Sequence, residues 1–165
     1  MFEQLLSLVQ ENAGTAIIDN DAIPNERNNE AIETATHSIS DTFKSAIQSG
    51  NVSDVMQMFG GNSSNVSSMP LTQNMHGNLV DNLMNKFGLS NSQAGGIASS
   101  ILPAVLGNLV HKTNDPADSS FDISSILSNL GGSGFDVGSV LSKFGMGGGS
   151  QGGGITDALK NIFGK

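Results

Sequence analysis

Histidine and serine are the residues of this 165-residue chain that could do chemistry, and their spacing supports no catalytic or metal site. The three histidines, His37, His76 and His111, form no HxxxH or HExxH pair, so we expect surface or helix-end positions for them. No GxSxG elbow accompanies the many serines. Cysteine is absent, which excludes disulfides, thiolate metal sites and thiol nucleophiles. The pattern predicts a protein that is not an enzyme and has no cofactor or metal.

One stretch fits a calcium-loop template only in part. Asp19, Asp21 and Glu30 fall at positions 1, 3 and 12 of that template. However, Ile23 and Pro24 stand where the loop requires a ligand and a glycine, so we do not predict a calcium site.

Charge argues against two classes of partner. The net charge of −8 is concentrated in residues 1–70, which hold nine acidic and two basic side chains. Binding to phosphate backbones depends on clustered lysine and arginine, and the chain has no such cluster. Nucleic acid and anionic membrane surfaces are therefore not predicted partners. We find neither a signal peptide nor a membrane span, so a cytoplasmic location is expected.

The best-specified local structure is a turn between two predicted helices. Apolar residues three and four apart predict a helix over Leu71–Phe87. Gly88 suits a left-handed C-terminal cap, and Leu89 can fold back onto the last turn. Ser90 then begins a second helix, in which Gln93 completes a capping box.

The second helix of this pair is predicted to be central and buried. Its apolar stripe runs from Ala94 to Val110. Gly95 and Gly96 weaken the helix, and we attribute them to the close approach of another backbone. Pro103 predicts a kink or a break near residues 99–103, because it has no N–H to donate.

Periodic apolar residues predict further helices over residues 2–12, from Pro24 to about Gln48, and through Phe59, with a polar loop over 62–70. The predicted fold is all-α, with a central kinked helix pair. We place a helical domain over residues 1–112 and a Gly-rich tail over residues 113–165.

The tail carries an internal repeat of short amphipathic helices. DISSILSNLG over residues 122–131 aligns without gaps with DVGSVLSKFG over residues 136–145, and a looser third copy follows residue 154. Such short helices are marginal alone in water, so each stripe needs a surface to cover it. That surface could be the chain's own core, a neighbouring subunit or another partner. The stripes provide the candidate self-association residues: Ile123, Ile126, Leu127, Leu130, Val137, Val140, Leu141, Phe144, Leu159 and Ile162.

The stretch VDNLMNKFGLSNSQAGGIASSILPAVLGNL over residues 80–109 resembles the YidB-like family of small bacterial proteins. The shared pattern is a helix ending in Gly-Leu, a short polar turn, an alanine-rich helix, and Leu-Pro before an apolar turn. The residues in those places are Gly88, Leu89, Ala94, Ala98, Leu102 and Pro103. The resemblance is strongest over residues 79–110 and is extended over residues 1–112. The resemblance implies a helical, soluble protein without an assigned biochemical role, and the Gly-rich tail departs from the compact members.

Three hypotheses of function follow. A non-enzymatic, self-associating structural or scaffold protein is favoured by the repeated stripes, with a homo-oligomer as the expected assembly. A DNA-binding regulator with a helix-turn-helix at Gly88–Ser90 is the first alternative, although Asn91, Ser92 and Gln93 offer its reading helix no positive charge. A helical bundle that binds a small molecule or lipid is the other, and the sequence does not identify a ligand.

Overall fold

The computed structural model describes residues 2–60, 63–115, 117, 121, 123–132 and 136–143. Within these ranges the chain is helical and contains no strand, which confirms the predicted all-α fold class. The α-helices are α1 (Phe2–Glu11), α2 (Asn28–Gln48), α3 (Val52–Gly60), α4 (Pro70–Phe87), α5 (Asn91–Thr113), α6 (Ile123–Gly131) and α7 (Val137–Lys143). Short π- or 3₁₀-helical segments cover Gly14–Ile18, Asn25–Arg27 and Ser63–Ser68.

Helices α2, α4 and α5 form the centre of the fold. α4 packs against both α2 and α5, while α1, α3 and α6 each pack against α2. α5 is buried along the predicted stripe, since Ile97, Ile101 and Leu109 have almost no exposed surface. The rings of Phe43 and Phe59 stack between α2 and α3 with their centroids 5.6 Å apart. The core is thus aliphatic with phenylalanine and methionine in support, as a chain without tryptophan and tyrosine requires.

The turn between α4 and α5 confirms the prediction in detail. Gly88 has φ 67° and ψ 23°, a left-handed conformation, and its N–H donates to the Met84 carbonyl at 3.0 Å. Leu89 is buried. The Ser90 hydroxyl accepts from the Gln93 N–H at 3.2 Å, and the Gln93 side chain accepts from the Ser90 N–H at 3.0 Å. Both halves of the capping box are therefore formed.

Two expectations for α5 are corrected. The helix runs from Asn91 to Thr113 through Pro103, so the break that was one alternative near residues 99–103 is absent, while a kink there stays a prediction. The explanation of Gly95 and Gly96 by close backbone approach is wrong, because a methyl group at either position would meet no atom within 4 Å outside the local backbone of α5. α5 is also long and apolar enough to cross a membrane by length and composition, which the sequence analysis did not anticipate. Half of its most apolar window is buried inside the fold.

The predicted polar loop over residues 62–70 is also corrected. Ser63–Ser68 forms a 3₁₀ segment that packs against α4 and α5, and its Val66 is buried. The Thr72 hydroxyl of α4 donates to the Val66 carbonyl. One apolar residue among serines and asparagines is therefore enough to seat this segment on the core.

A ladder of hydroxyl and amide groups joins α2 to α4. The Asn82 amide donates to the Ser38 hydroxyl oxygen at 2.9 Å, and the Asn78 amide donates to the Thr42 hydroxyl oxygen at 3.0 Å. Each hydroxyl in turn donates to the carbonyl four residues earlier in α2. These bonds satisfy polar groups that are otherwise buried in the helix interface.

The chain divides into two compact units, residues 1–135 and 136–165. The first unit includes α6, whereas the predicted boundary after residue 112 places α6 in the tail. In the second unit the structure describes α7. Asp136 precedes α7 and accepts from the Ser139 N–H at 3.2 Å, which is the predicted N-cap role.

Candidate functional site

A cleft of about 300 Å³ opens between α4, α5 and the Ser63–Ser68 segment. Ala98, Leu102 and Pro103 from α5 form most of its apolar wall. Ser67 and Gln73 contribute polar side chains at its rim, and both are exposed. Because Pro103 projects no N–H, it presents only carbon and its own carbonyl to the neighbouring groups. The cleft is therefore mainly apolar, with polar groups at defined points.

His76 and Ser99 form a hydrogen bond at this cleft. The His76 Nε2 lies 3.0 Å from the Ser99 Oγ, which links α4 to α5. Both residues line the cleft, His76 half-buried and Ser99 exposed. No pattern in the sequence predicts this pair, because the two residues are 23 positions apart and on different helices. The only local signal of this cleft in the sequence was a histidine three residues after Gln73, which places both side chains on the same face of α4.

Charge separates this cleft from two others on the first unit. A polar cleft between α2, α3 and α4 is lined by Asp54 and Asp81 among other groups. Another, beside α1 and α5, is lined by Glu3 and Glu11 together with Lys112. Within the described part of the chain, no carboxylate lines the His76 cleft.

The other histidine and carboxylate candidates stand apart from each other. His37 is exposed, with its ring 4.6 Å from that of Phe2, and His111 is exposed near the end of α5. Within the described ranges, no group of three or more histidine and carboxylate side chains is placed to hold a metal ion. Glu30 pairs with Arg27 at 3.0 Å, and the hydrogen bond from Arg27 is the main reason why the pKa of Glu30 lies below its usual value. Arg27 also donates to the Lys86 carbonyl at 3.1 Å, which ties the start of α2 to the end of α4.

The candidate self-association residues fall into three groups. Ile126, Leu127 and Leu130 are buried in α6, which packs against α2, and Ile123 is half-buried. Val137 and Val140 of α7 are only half-buried. Outside the described positions lie Phe144, Leu159 and Ile162, as does the Leu141 side chain. In this structure the first stripe is covered by its own chain, which is one of the three alternatives considered from sequence.

The helix-turn-helix alternative can be placed on the same structure. Asn91, Ser92 and Gln93 are exposed at the start of α5. The Gln93 side chain is held by both the N–H and the hydroxyl of Ser90. The exposed face of α5 continues through Ser99, Ser100, Ala104 and Asn108, and none of these positions carries a positive charge.

Comparison with known proteins identifies a family and nothing closer. A family of bacterial proteins of unknown function (DUF937) matches residues 69–165, more than half of the chain. No curated protein and no solved structure matches significantly. The match covers α4, α5 and the Gly-rich tail. The YidB-like resemblance was placed over residues 1–112, so the two extents differ. The tail, which was expected to depart from the family, lies inside the match. The chain therefore belongs to this YidB-like bacterial family of unknown function.

Proposed function

We propose that this protein is a non-enzymatic, cytoplasmic scaffold that self-associates through the apolar stripe of α7. The observation that carries the proposal is a difference between two copies of one repeat. α6 and α7 have the same order of apolar residues, and they differ at one described pair of aligned positions. Ile126 of α6 is 2% exposed, while Val140, which aligns with it, is half-buried; Ile123 and Val137, the other aligned pair, are both half-buried.

The packing of α6 on α2 indicates how much apolar surface such a stripe buries. Ile126 and Leu130 are 2% and 7% exposed where α6 packs against α2. Covering an aliphatic side chain of this size stabilises a fold by roughly 1.5–3 kcal/mol. A helix of seven residues cannot supply that burial alone, and it is too short to be stable by its backbone hydrogen bonds.

A second copy of the chain is the partner that fits this need. The α2 surface that accepts this stripe is already covered by α6 in each copy, so what an identical subunit offers is its own α7, with the same apolar pattern. Gly132 lies between α6 and α7 with φ 73°, a conformation that glycine adopts without strain. Contacts between identical chains favour closed, symmetric assemblies.

Light scattering coupled to size exclusion, run on the full chain over a range of concentrations, tests the proposal. We expect the wild-type chain to form a defined oligomer. Val140→Asp should reduce its mass, because a charge in the docked stripe costs far more than it does in water. Ser142→Asp is the matched control, since Ser142 is exposed on the same helix and the charge change is identical.

Two results would contradict the proposal. One is a strict monomer at high concentration. The other is an oligomer whose mass is the same for Val140→Asp as for Ser142→Asp. Leu127→Asp serves as a reference for the first unit: it should lower thermal stability, because Leu127 is packed inside that unit.

A DNA-binding regulator has less support. The exposed first turn of α5 carries no lysine or arginine, and Gln93 is occupied in the capping box. A salt-dependent shift of duplex DNA in a gel assay would restore that alternative.

A further inference from the structure

We propose that the His76 cleft binds a small amphipathic monocarboxylate, with its carboxylate on His76 and Ser99 and its apolar chain against Leu102 and Pro103. This site is independent of α7, so it stands or falls separately from self-association. The ligand class follows from the size, the apolar surface and the charge of the cleft.

The size of the cleft suits a small molecule. Its volume of about 300 Å³ is at the lower end of the roughly 300–1,000 Å³ typical of ligand pockets. Such pockets combine a mainly apolar wall with a few polar groups that orient the ligand. Ala98 and Leu102 are buried members of this wall, so their positions are held by the core behind them.

The polar end of the cleft favours an anion over a cation. The Ser99 hydroxyl can donate to a carboxylate, and so can an imidazole N–H of His76. Their mutual hydrogen bond of 3.0 Å holds the two side chains at the same end of the cleft. Among the residues that the structure describes, no acidic side chain lines the cleft to repel an anion, in contrast to the clefts lined by Asp54 and Asp81 or by Glu3 and Glu11 beside Lys112.

The apolar part of the cleft requires a hydrocarbon chain on the ligand. An inorganic anion such as phosphate would leave the apolar lining uncovered, in which Pro103 is only half-buried, and it would gain nothing from that surface. A hydrocarbon of moderate length fills this wall while its charged end stays at the half-open rim. Octanoate is therefore a suitable probe.

A titration of the full, isotope-labelled chain by ¹H–¹⁵N NMR tests the proposal. We expect octanoate to shift the amide signals of residues 73–76 and 98–102 saturably, with a dissociation constant in the millimolar range or below. Octylamine has the same hydrocarbon chain and the opposite charge, and it should bind about tenfold more weakly.

Two matched variants separate the site from the surrounding surface. Ser99→Asp places a carboxylate beside His76 and should weaken octanoate binding about tenfold or more. Ser100→Asp adds the same charge to the next residue of α5, which is exposed and outside the cleft lining, and should change the affinity less than about twofold. His76→Gln keeps a side chain able to hydrogen-bond with Ser99 but removes the imidazole, and it should also weaken binding.

The proposal is overturned if octanoate and octylamine bind equally well. It is also overturned if Ser99→Asp and Ser100→Asp have the same affinity, or if the cleft signals do not shift saturably. An unchanged NMR spectrum outside the cleft confirms that each variant is folded, so loss of binding by an unfolded chain cannot be mistaken for support.

Discussion

Adding one methyl group at two glycines of the central helix pair should change stability in opposite directions. Gly88 is left-handed, with φ 67°, whereas Gly96 lies inside α5. Apart from the local backbone, a methyl group would meet no atom within 4 Å at either position. Contacts with the surrounding structure are therefore equal at the two sites, and the local backbone conformation separates them.

The magnitudes follow from that difference. An L-residue in the left-handed region costs roughly 1–2 kcal/mol, so Gly88→Ala should lower the free energy of unfolding by about 1 kcal/mol or more. Asparagine tolerates this region better, so Gly88→Asn should cost less than alanine, and Gly88→Val should cost the most. In a regular helix, alanine is favoured over glycine by up to about 1 kcal/mol, so Gly96→Ala should stabilise.

Urea denaturation followed by circular dichroism measures these changes, and thermal melts provide a second scale. For a chain of this size, 1 kcal/mol corresponds to a shift of about 2–4 °C in Tm. The reasoning is refuted if Gly88→Ala is as stable as the wild type, or if alanine has the same effect at both positions. Equal losses for the asparagine and valine variants at Gly88 would also show that α4 does not end as described.

Three other changes test contacts that lie within one unit or the other. Asn82→Ala should lower the free energy of unfolding by about 1 kcal/mol. A double-mutant cycle with Ser38→Ala should assign most of that loss to the 2.9 Å hydrogen bond between the two side chains, and additive effects of the two substitutions would contradict this. Arg27→Lys should lower the free energy of unfolding by about 1 kcal/mol in urea melts, much of the loss expected for Arg27→Ala, because an ammonium cannot both stack on Phe87 and bond the Lys86 carbonyl. A lysine variant as stable as the wild type would contradict this. Hydrogen bonds from Ser139 hold the pKa of Asp136 below its usual value, so its cap stabilises α7 above the ordinary carboxyl pKa and is lost as pH falls through the lowered one. Asp136→Asn should keep the cap and remove that pH dependence of the α7 amide signals; an unchanged dependence would refute the assignment.

Local chemistry made the α4–α5 turn predictable from the sequence. Gly88, Leu89, Ser90 and Gln93 each act on atoms within a few residues, so their types are enough to specify a helix end, a turn and a helix start. The reason assigned to Gly95 and Gly96 failed because it concerned a neighbour that is distant in the chain. Residue type reports the backbone freedom of a glycine, but not what surrounds it.

Contacts between helices could not be predicted from the sequence for the same reason, because they join residues that are distant in the chain. A period of four in hydroxyl residues on α2 and in amides on α4 could have indicated the Ser38–Asn82 ladder, since both helices repeat polar groups at that spacing. Nothing equivalent marks His76 and Ser99, which meet only because α4 and α5 cross with those faces together. The cleft beside them is a product of packing, with Pro103 as its only distinctive residue type.

The apolar pattern of the tail repeats also occurs inside the first unit. The burial of its residues there can be compared with the burial of the same pattern in α7. In α3 the pattern residues Val52, Val55, Met56 and Phe59 are all buried. In α6 the residues Ile126, Leu127 and Leu130 are buried as well. In α4 the pattern residues Val80 and Leu83 are buried, while Met84 and Phe87 are half-buried. The first unit therefore covers most residues of such stripes, because several aliphatic or aromatic groups on one face of a short helix make exposure costly. Val137 and Val140 of α7 are half-buried, and their cover by a second copy of the chain is what the proposal of self-association predicts.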